Sequence, residues 1–170
     1  ILGTDNQGRD LLSAIIFGTR LSLFVGLASV LLAIIIGVSL GLLAAYAGGW
    51  VDDVIMRIAD VQLSFPTILI ALLIDGVMKS TLQSNAFVAI TIFIVVLAIG
   101  ISTWPQYART IRASAMVKKS KEYVQAAQVM GVPPRLIVFR HILPNVLGPV
   151  LVIATINLAV AIIIEATLSF

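Results

Sequence analysis

The side chains that could carry out chemistry are few and scattered in this sequence. Among 170 residues there are one histidine and eight acidic residues, and there is no cysteine. A metal site needs several such ligands in a cluster, and an intramembrane hydrolase needs a nucleophile with a base within reach. The spacing provides neither arrangement. We therefore expect no metal site and no enzyme.

No phosphate-binding loop of the type GxxxxGK[ST] occurs in the chain. Such a loop cradles nucleotide phosphates with its backbone amides. We therefore expect no cofactor bound by this chain, and energy must come from a partner if it is used.

The densest group of charges lies between Pro105 and Pro144. This segment holds seven of the eleven basic residues against the single acid Glu122, a balance of +6. Alanine, valine and methionine interrupt the charges, and no aromatic platform accompanies them, so a patch for nucleic acid or for anionic lipid is the disfavoured alternative, and nucleic acid is not an expected partner. If the chain lies in a membrane, the positive-inside rule places this segment in the cytoplasm.

An apolar stripe interrupts this basic segment. Four residues fall at the helical spacing i, i+3, i+4 and i+7, namely Tyr123, Ala126, Ala127 and Met130. We predict a short helix over Glu122–Gly131, which Gly131 can end in a left-handed conformation. Because so apolar a chain offers no soluble core, the stripe is expected to dock on a protein partner.

The composition places most of the chain in lipid. Hydrophobic residues make up 60% of the sequence, charged residues only 11%, and the mean hydropathy is +1.12. A soluble domain carries about 25% charged residues, so a soluble, disordered or disulfide-rich protein is excluded. Three ranges without a formal charge exceed the roughly 20 residues that cross a bilayer as a helix, namely 21–51, 80–108 and 141–164.

A fourth range, 54–77, is less apolar. Asp53, Arg57 and Asp60 share one helix face in its first part, and Pro66 predicts a kink. We interpret it as a span that starts at the membrane surface. A soluble amphipathic helix that stops at Pro66 is the alternative.

The first span carries a small residue at every fourth position, at Ser29, Ala33, Gly37, Gly41 and Ala45. In lipid, such a face lets a second helix approach closely, so we predict helix packing there, above all through Ala33, Gly37 and Gly41. Small residues are also common in membrane helices generally.

Two polar residues lie in the last apolar range. Asn157 and Glu165 are candidate pathway or gate residues, because a carboxylate that faces lipid at the bilayer centre costs roughly 2.5–3.5 kcal/mol. A position of Glu165 at the outer interface is equally compatible with the pattern. If these groups and Asp75 bound a coupling ion, the chain would belong to a secondary transporter or channel. A membrane scaffold for a soluble partner is a further alternative.

These patterns predict an all-α integral membrane protein, a polytopic bundle of transmembrane helices. Because the first residue is Ile and the last is Phe within an apolar stretch, we expect a fragment truncated at both ends. The expected organisation within 1–170 is an outer segment at 1–20 with an interfacial helix at 11–18, spans at 21–46, 54–77, 84–104 and 146–168, and a cytoplasmic coupling loop at 105–145.

The coupling loop contains a recognisable motif. The segment QAAQVMGVPPRLIVFRHILPN resembles the signature of permease subunits of binding-protein-dependent ABC importers, which reads EAA, three residues, Gly, nine residues, Ile, one residue and Leu-Pro. Five positions match this signature, namely Ala126, Ala127, Gly131, Leu143 and Pro144. Gln125 replaces the Glu of the signature, and His141 replaces its Ile.

Further blocks extend the resemblance over nearly the whole chain. Three segments are similar to the second of the two permeases in the dipeptide, oligopeptide and nickel branch of the family. They are LGTDNQGRDLLSAIIFGTRLSLFVG, YAGGWVDDVIMRIADVQLSFP and EATLSF. The resemblance implies a type I, MetI-like permease core in the bacterial inner membrane. The coupling residues that it implies are Glu122, Tyr123, Gln125, Ala126, Ala127, Met130, Gly131, Leu143 and Pro144.

The resemblance also implies the partners. Such a permease forms half of a translocation pathway with a second, similar permease, receives its substrate from an external binding protein, and is driven by two cytoplasmic ATPase subunits. Peptides, nickel chelates, opines and glutathione-like molecules all remain open as cargo.

Overall fold

A computed structural model of the chain describes residue 3 and residues 10–81 and 88–169. All regular elements in these ranges are helical, which confirms the expected all-α class. In chain order they are α1 (Leu11–Ala47), α2 (Gly49–Leu63), α3 (Thr67–Thr81), α4 (Val88–Lys119), α5 (Glu122–Val129), α6 (Pro134–Leu136), a π-helical turn (Ile137–Ile142) and α7 (Leu143–Ser169).

The first helix begins at a capping aspartate. The Asp10 carboxylate accepts hydrogen bonds from the amides of Leu12 and Ser13 at 3.4 and 3.3 Å and from the Ser13 hydroxyl at 2.7 Å. The hydroxyl contact is the main reason that the pKa of Asp10 is lowered. These contacts satisfy amides that have no partner inside the helix.

α1 then continues without a break to Ala47. The separate helix expected at 11–18 is therefore wrong, because these residues form the first two turns of α1. No proline or left-handed residue interrupts the chain between 18 and 21. At 1.5 Å per residue, the 37 residues of α1 extend over about 55 Å, well beyond the roughly 30 Å of a hydrocarbon core.

The small stripe of α1 lies against α4. Ala33 is fully buried, and a Cβ at Gly37 would lie 2.5 Å from the Cβ of Tyr107. A Cβ at Gly41 would lie 2.6 Å from the carbonyl oxygen of Ala108. Side chains at both positions are thus incompatible with this distance between the helices. The neighbour that the stripe predicted is α4 of the same chain.

The range expected as one kinked span contains two helices. α2 ends at Leu63, α3 begins at Thr67, and the two axes differ by 93°. Pro66 follows a turn in which the Ser64 hydroxyl donates to the carbonyl of Asp60 at 2.9 Å. The bend at Pro66 is therefore much larger than a kink, since three residues outside the helices separate the two axes.

α4 passes through Pro105 and ends only at Lys119. The first 15 residues of the expected cytoplasmic loop at 105–145 are therefore helical, and their position relative to the membrane stays a prediction. Because Pro105 has no amide hydrogen, the carbonyl of Ile101 loses its helical donor. The Nε2 of Gln62 donates to this carbonyl at 2.6 Å, and the Nε1 of Trp104 donates to the Oε1 of Gln62 at 3.1 Å. A side chain of α2 thus repairs the interruption in α4.

The rest of the expected loop is also largely helical, because α6, the π-helical turn and α7 form one continuous rod from Pro134. Within the described ranges, three helical stretches are long and apolar enough to cross a membrane, namely Leu11–Ala47, Ile90–Lys119 and Pro134–Leu168. The bent pair Gly49–Leu63 and Thr67–Met78 would be a fourth if it crosses as one unit. The exact limits of the spans in lipid stay predictions, and residues 84–87 of the third lie outside the described residues.

Candidate functional site

The candidate coupling helix, α5, is held at its start by backbone contacts. The amides of Val124 and Gln125 donate to the carbonyl of Lys121 at 2.9 and 3.1 Å. Glu122 lies in the first turn, where a negative charge interacts favourably with the helix dipole. The Nε2 of Gln125 donates to the carbonyl of Ser120 at 3.3 Å. A carboxylate at position 125 would lack this donor.

The end of α5 agrees with the predicted left-handed turn. Gly131 has a φ of +76°, and its amide donates to the carbonyl of Gln128 at 3.0 Å. The amide of Val132 donates to the carbonyl of Ala127 at 3.1 Å. These two bonds form a Schellman motif, in which glycine has no Cβ penalty. The helix ends at Val129, two residues earlier than predicted.

The predicted apolar stripe does not face one direction. Ala127 is only 2% exposed and packs with the fully buried Val124 in a core that includes Ile137 and Ile142. Tyr123, by contrast, is 42% exposed. The expectation that the chain offers no core for this helix is therefore wrong. The π-helical turn and α4, which α5 contacts directly, provide one together with residues of α1 and α7.

The outward face of α5 has a different composition from the predicted stripe. Met130 and Val129 are 75% and 89% exposed, and Ala126 is exposed between Tyr123 and these two residues. The stripe assigned Tyr123 and Ala127 to the same face. In the structure Val124, and not Tyr123, is buried beside Ala127. Exposed apolar side chains of this size on one short helix form a candidate docking surface.

The last two residues of the motif lie inside a helix. Leu143 is half-buried, Pro144 is exposed, and both belong to the first turn of α7. The amide of Leu143 donates to the carbonyl of Val138, five residues earlier. The widened π-helical turn accommodates the missing amide of Pro144, so the chain does not change direction there.

The two candidate pathway residues connect helices in this structure. Asn157 is 7% exposed, and its Nδ2 donates to the Oε1 of Gln106 on α4 at 3.2 Å. Glu165 is 8% exposed and accepts a hydrogen bond from the Ser22 hydroxyl of α1 at 2.8 Å. Both side chains therefore lie between helices of this chain, and their role in a pathway stays a prediction.

Charged contacts of α4 were missed in the sequence. Arg112 forms a bidentate pair with Asp52 at the start of α2, with side-chain exposures of 32% and 12%. The ammonium of Lys119 donates to the carbonyls of Ala45 and Tyr46 at the end of α1, at 3.4 and 3.3 Å. The sequence distinguishes these residues only as charges at the ends of apolar ranges.

Among the described residues, no group of three or more His, Cys or acidic side chains could hold a metal ion.

The membrane-length helices define the class of a polytopic membrane protein, with an exposed short helix beside them. The chain belongs to the family of binding-protein-dependent transport system inner membrane components, whose model matches residues 37–170. This finding confirms the family resemblance and the inner-membrane assignment.

Named relatives agree with the family match. The chain is 41% identical over 169 residues to the glutathione transport system permease protein of Pectobacterium atrosepticum, which covers 99% of this chain and 53% of that protein. It is 41% identical over 168 residues to a dipeptide transport system permease protein of Alkalihalophilus pseudofirmus, covering 99% and 52%. An oligopeptide transport system permease protein of Bacillus subtilis is 35% identical over 168 residues, covering 99% and 52%. The chain thus spans about half the length of these relatives, which are transport permeases and not enzymes.

Proposed function

We propose that this chain is the core of a permease subunit in an ATP-driven importer, and that it forms half of the translocation pathway together with a second permease. Its cargo is a peptide or a related small solute, because the three relatives carry names that specify glutathione, dipeptides and oligopeptides. An external binding protein delivers the cargo, and two cytoplasmic ATPase subunits bind and hydrolyse the ATP. The family and relatives do not favour a secondary transporter or channel.

The proposed orientation follows from charge. The +6 segment, which includes α5, faces the cytoplasm, and the connection between α3 and α4 faces the outside. With no cysteine in the chain, Ser120→Cys should resist an impermeant maleimide in intact cells, whereas Ser84→Cys should react. Equal labelling of both variants would contradict this orientation.

The observation that carries the coupling proposal is the division of α5 into two faces. Val124 and Ala127 fix the helix to the chain's own core, while Tyr123, Val129 and Met130 remain exposed. An ATPase surface that bound the outer face would transmit its displacement through the inner face to the π-helical turn and α4, and the π-helical turn continues directly into α7. Gln125 and Glu122 lie at the start of the helix and complete the candidate surface.

The test places a charge on the outer face. Met130→Asp should leave membrane insertion and assembly of the full-length transporter intact and should abolish uptake, because a carboxylate would be desolvated in the apolar contact. The matched control is Val117→Asp, which adds the same charge at an apolar residue of α4 that is 59% exposed. Uptake and binding-protein-stimulated ATP hydrolysis are measured in proteoliposomes. Wild-type uptake by Met130→Asp would refute the coupling role of α5.

A further inference from the structure

An open groove of about 380 Å³ lies between the second half of α1 and the π-helical turn. Its walls are apolar, with Val38, Leu42 and Leu43 on one side and Val138 and Phe139 on the other. Leu43 and Phe139 are 51% and 65% exposed, so the groove opens away from the bundle. The wall that α1 provides extends from Val38 over two helical turns, or about 12 Å.

The direction of the helices identifies the end of the groove at which Arg135 lies. Glu165 of α7 bonds to Ser22 near the beginning of α1, whereas Val138 and Leu42 line the same groove. The two rods are therefore antiparallel. Arg135 precedes Val138 and so lines the groove at the end where α1 terminates.

A second cation lies at the same end. The ammonium of Lys119 is 5.3 Å from the ring centroid of Tyr46, which also lines the groove. Lys119 itself lines a small cavity next to the groove. No acidic residue of the described chain lines the groove or this cavity. Arg135 and Lys119 therefore place two positive charges at this end of the groove.

Aromatic residues mark this end as the level of the lipid headgroups. Tyr46 lies in the last turn of α1, and Trp50, four residues later, is 77% exposed. Tyrosine and tryptophan are enriched at the boundary between membrane and water. The charge-free range 21–51 ends here as well, at Asp52. The apolar part of the groove consequently lies on the lipid side of this boundary, and Arg135 lies at the boundary.

We propose that this groove is a binding site for an anionic phospholipid of the cytoplasmic leaflet. One acyl chain lies along the apolar wall between Val38 and Phe139, and the phosphate is bound by the guanidinium of Arg135, with Lys119 adding a longer-range attraction. A guanidinium presents paired donors that match a phosphate, and basic pockets between membrane helices on the cytoplasmic side bind anionic headgroups. The choice of leaflet rests on the orientation proposed above.

The first test measures lipid binding to the purified full-length transporter. Phosphatidylglycerol and phosphatidylcholine are titrated separately, and bound lipids are counted by native mass spectrometry. Arg135→Gln should weaken phosphatidylglycerol binding about fivefold, because a basic residue near a membrane surface contributes about 1 kcal/mol of attraction to anionic lipid. It should leave phosphatidylcholine binding unchanged. Arg140→Gln is the matched control, since Arg140 is exposed in the same π-helical turn and does not line the groove. Equal phosphatidylglycerol affinity in the wild type and Arg135→Gln would overturn the proposal.

The second test examines the groove itself. Ser39 lines the groove, is exposed, and donates its hydroxyl to the carbonyl of Ile35 on its own helix. Ser39→Phe should fill the groove and reduce the occupancy of both lipids. In an otherwise cysteine-free transporter, Ser39→Cys should react with a maleimide-bearing phospholipid. After labelling with benzophenone-maleimide and illumination, it should not cross-link to a protein subunit. Efficient cross-linking to the second permease would instead assign the groove to protein packing and would overturn the lipid site.

Discussion

The contact of α1 with α4 and the attachment of α5 are built in opposite ways. α1 approaches α4 so closely that Gly37 and Gly41 leave no space for a Cβ. α5 is a helix of eight residues that buries only Val124 and Ala127. Dense contacts resist local opening, whereas a short element with few buried residues opens at a low free-energy cost. The difference indicates a rigid helical frame with a small element that can shift against it.

The largest expected effect breaks the rigid side of this comparison. Gly41→Val should destabilise the full-length permease by about 3 kcal/mol, because overpacking of a close contact typically costs 1–3 kcal/mol and here the obstacle is backbone. Gly18→Val is the control, since a Cβ at Gly18 meets no atom within 4 Å. Thermal unfolding in detergent should show a clear loss of Tm only for Gly41→Val. Equal Tm values would mean that α1 and α4 are not in close contact.

The ion pairs of α4 sharpen the description of the frame. Asp52→Asn should cost about 2 kcal/mol, less than the 3–5 kcal/mol of a fully buried pair because Arg112 is 32% exposed. Asp60→Asn should change stability by less than about 0.5 kcal/mol, because its pair with Arg109 is 3.7 Å long and more than half exposed. Denaturant unfolding of the two variants measures the difference. A larger loss of stability from Asp60→Asn than from Asp52→Asn would show that the Asp52–Arg112 pair does not hold α2 against α4.

A smaller effect than that of Asp52→Asn concerns the turn that ends α5. Gly131→Ala should cost about 1 kcal/mol, because a φ of +76° strains a residue with a Cβ. Gly131→Asn should be milder, since asparagine tolerates the left-handed region better. Hydrogen exchange across residues 122–132 should rise about fivefold for Gly131→Ala, while the Tm of the bundle stays unchanged. A drop in Tm equal to that of Gly41→Val would contradict the independence of the two regions.

The sequence predicts the structure best where a conformation or contact can be made by only one kind of residue. The small stripe that includes Gly37 and Gly41 predicted a close helix contact because small side chains are what such a contact requires. The left-handed Gly131 was predictable for the same reason. In both places the local pattern and the tertiary structure agree.

Other features depend on partners that are distant in sequence. The expected span ended at residue 104, but Gln62 satisfies the carbonyl that Pro105 leaves free, and α4 continues. The 93° bend at Pro66 exceeds what the proline alone predicts. On α5, the apolar spacing i, i+3, i+4 and i+7 fits a stripe from Tyr123, whereas the same spacing from Val124 reaches Gln128. Only the position of the core shows that Val124 lies inside.

The central claim is that α5 presents its outer face to an ATPase and its inner face to the frame. The direct measurement is cysteine cross-linking in the assembled full-length transporter. One cysteine is introduced in this chain and one in the ATPase surface, and all other subunits are free of cysteine. Met130→Cys should cross-link to the ATPase, whereas Ala127→Cys, at a position 2% exposed, should not. The yield from Met130→Cys should also change when ATP binds. Cross-linking through Ala127→Cys and none through Met130→Cys would contradict the account.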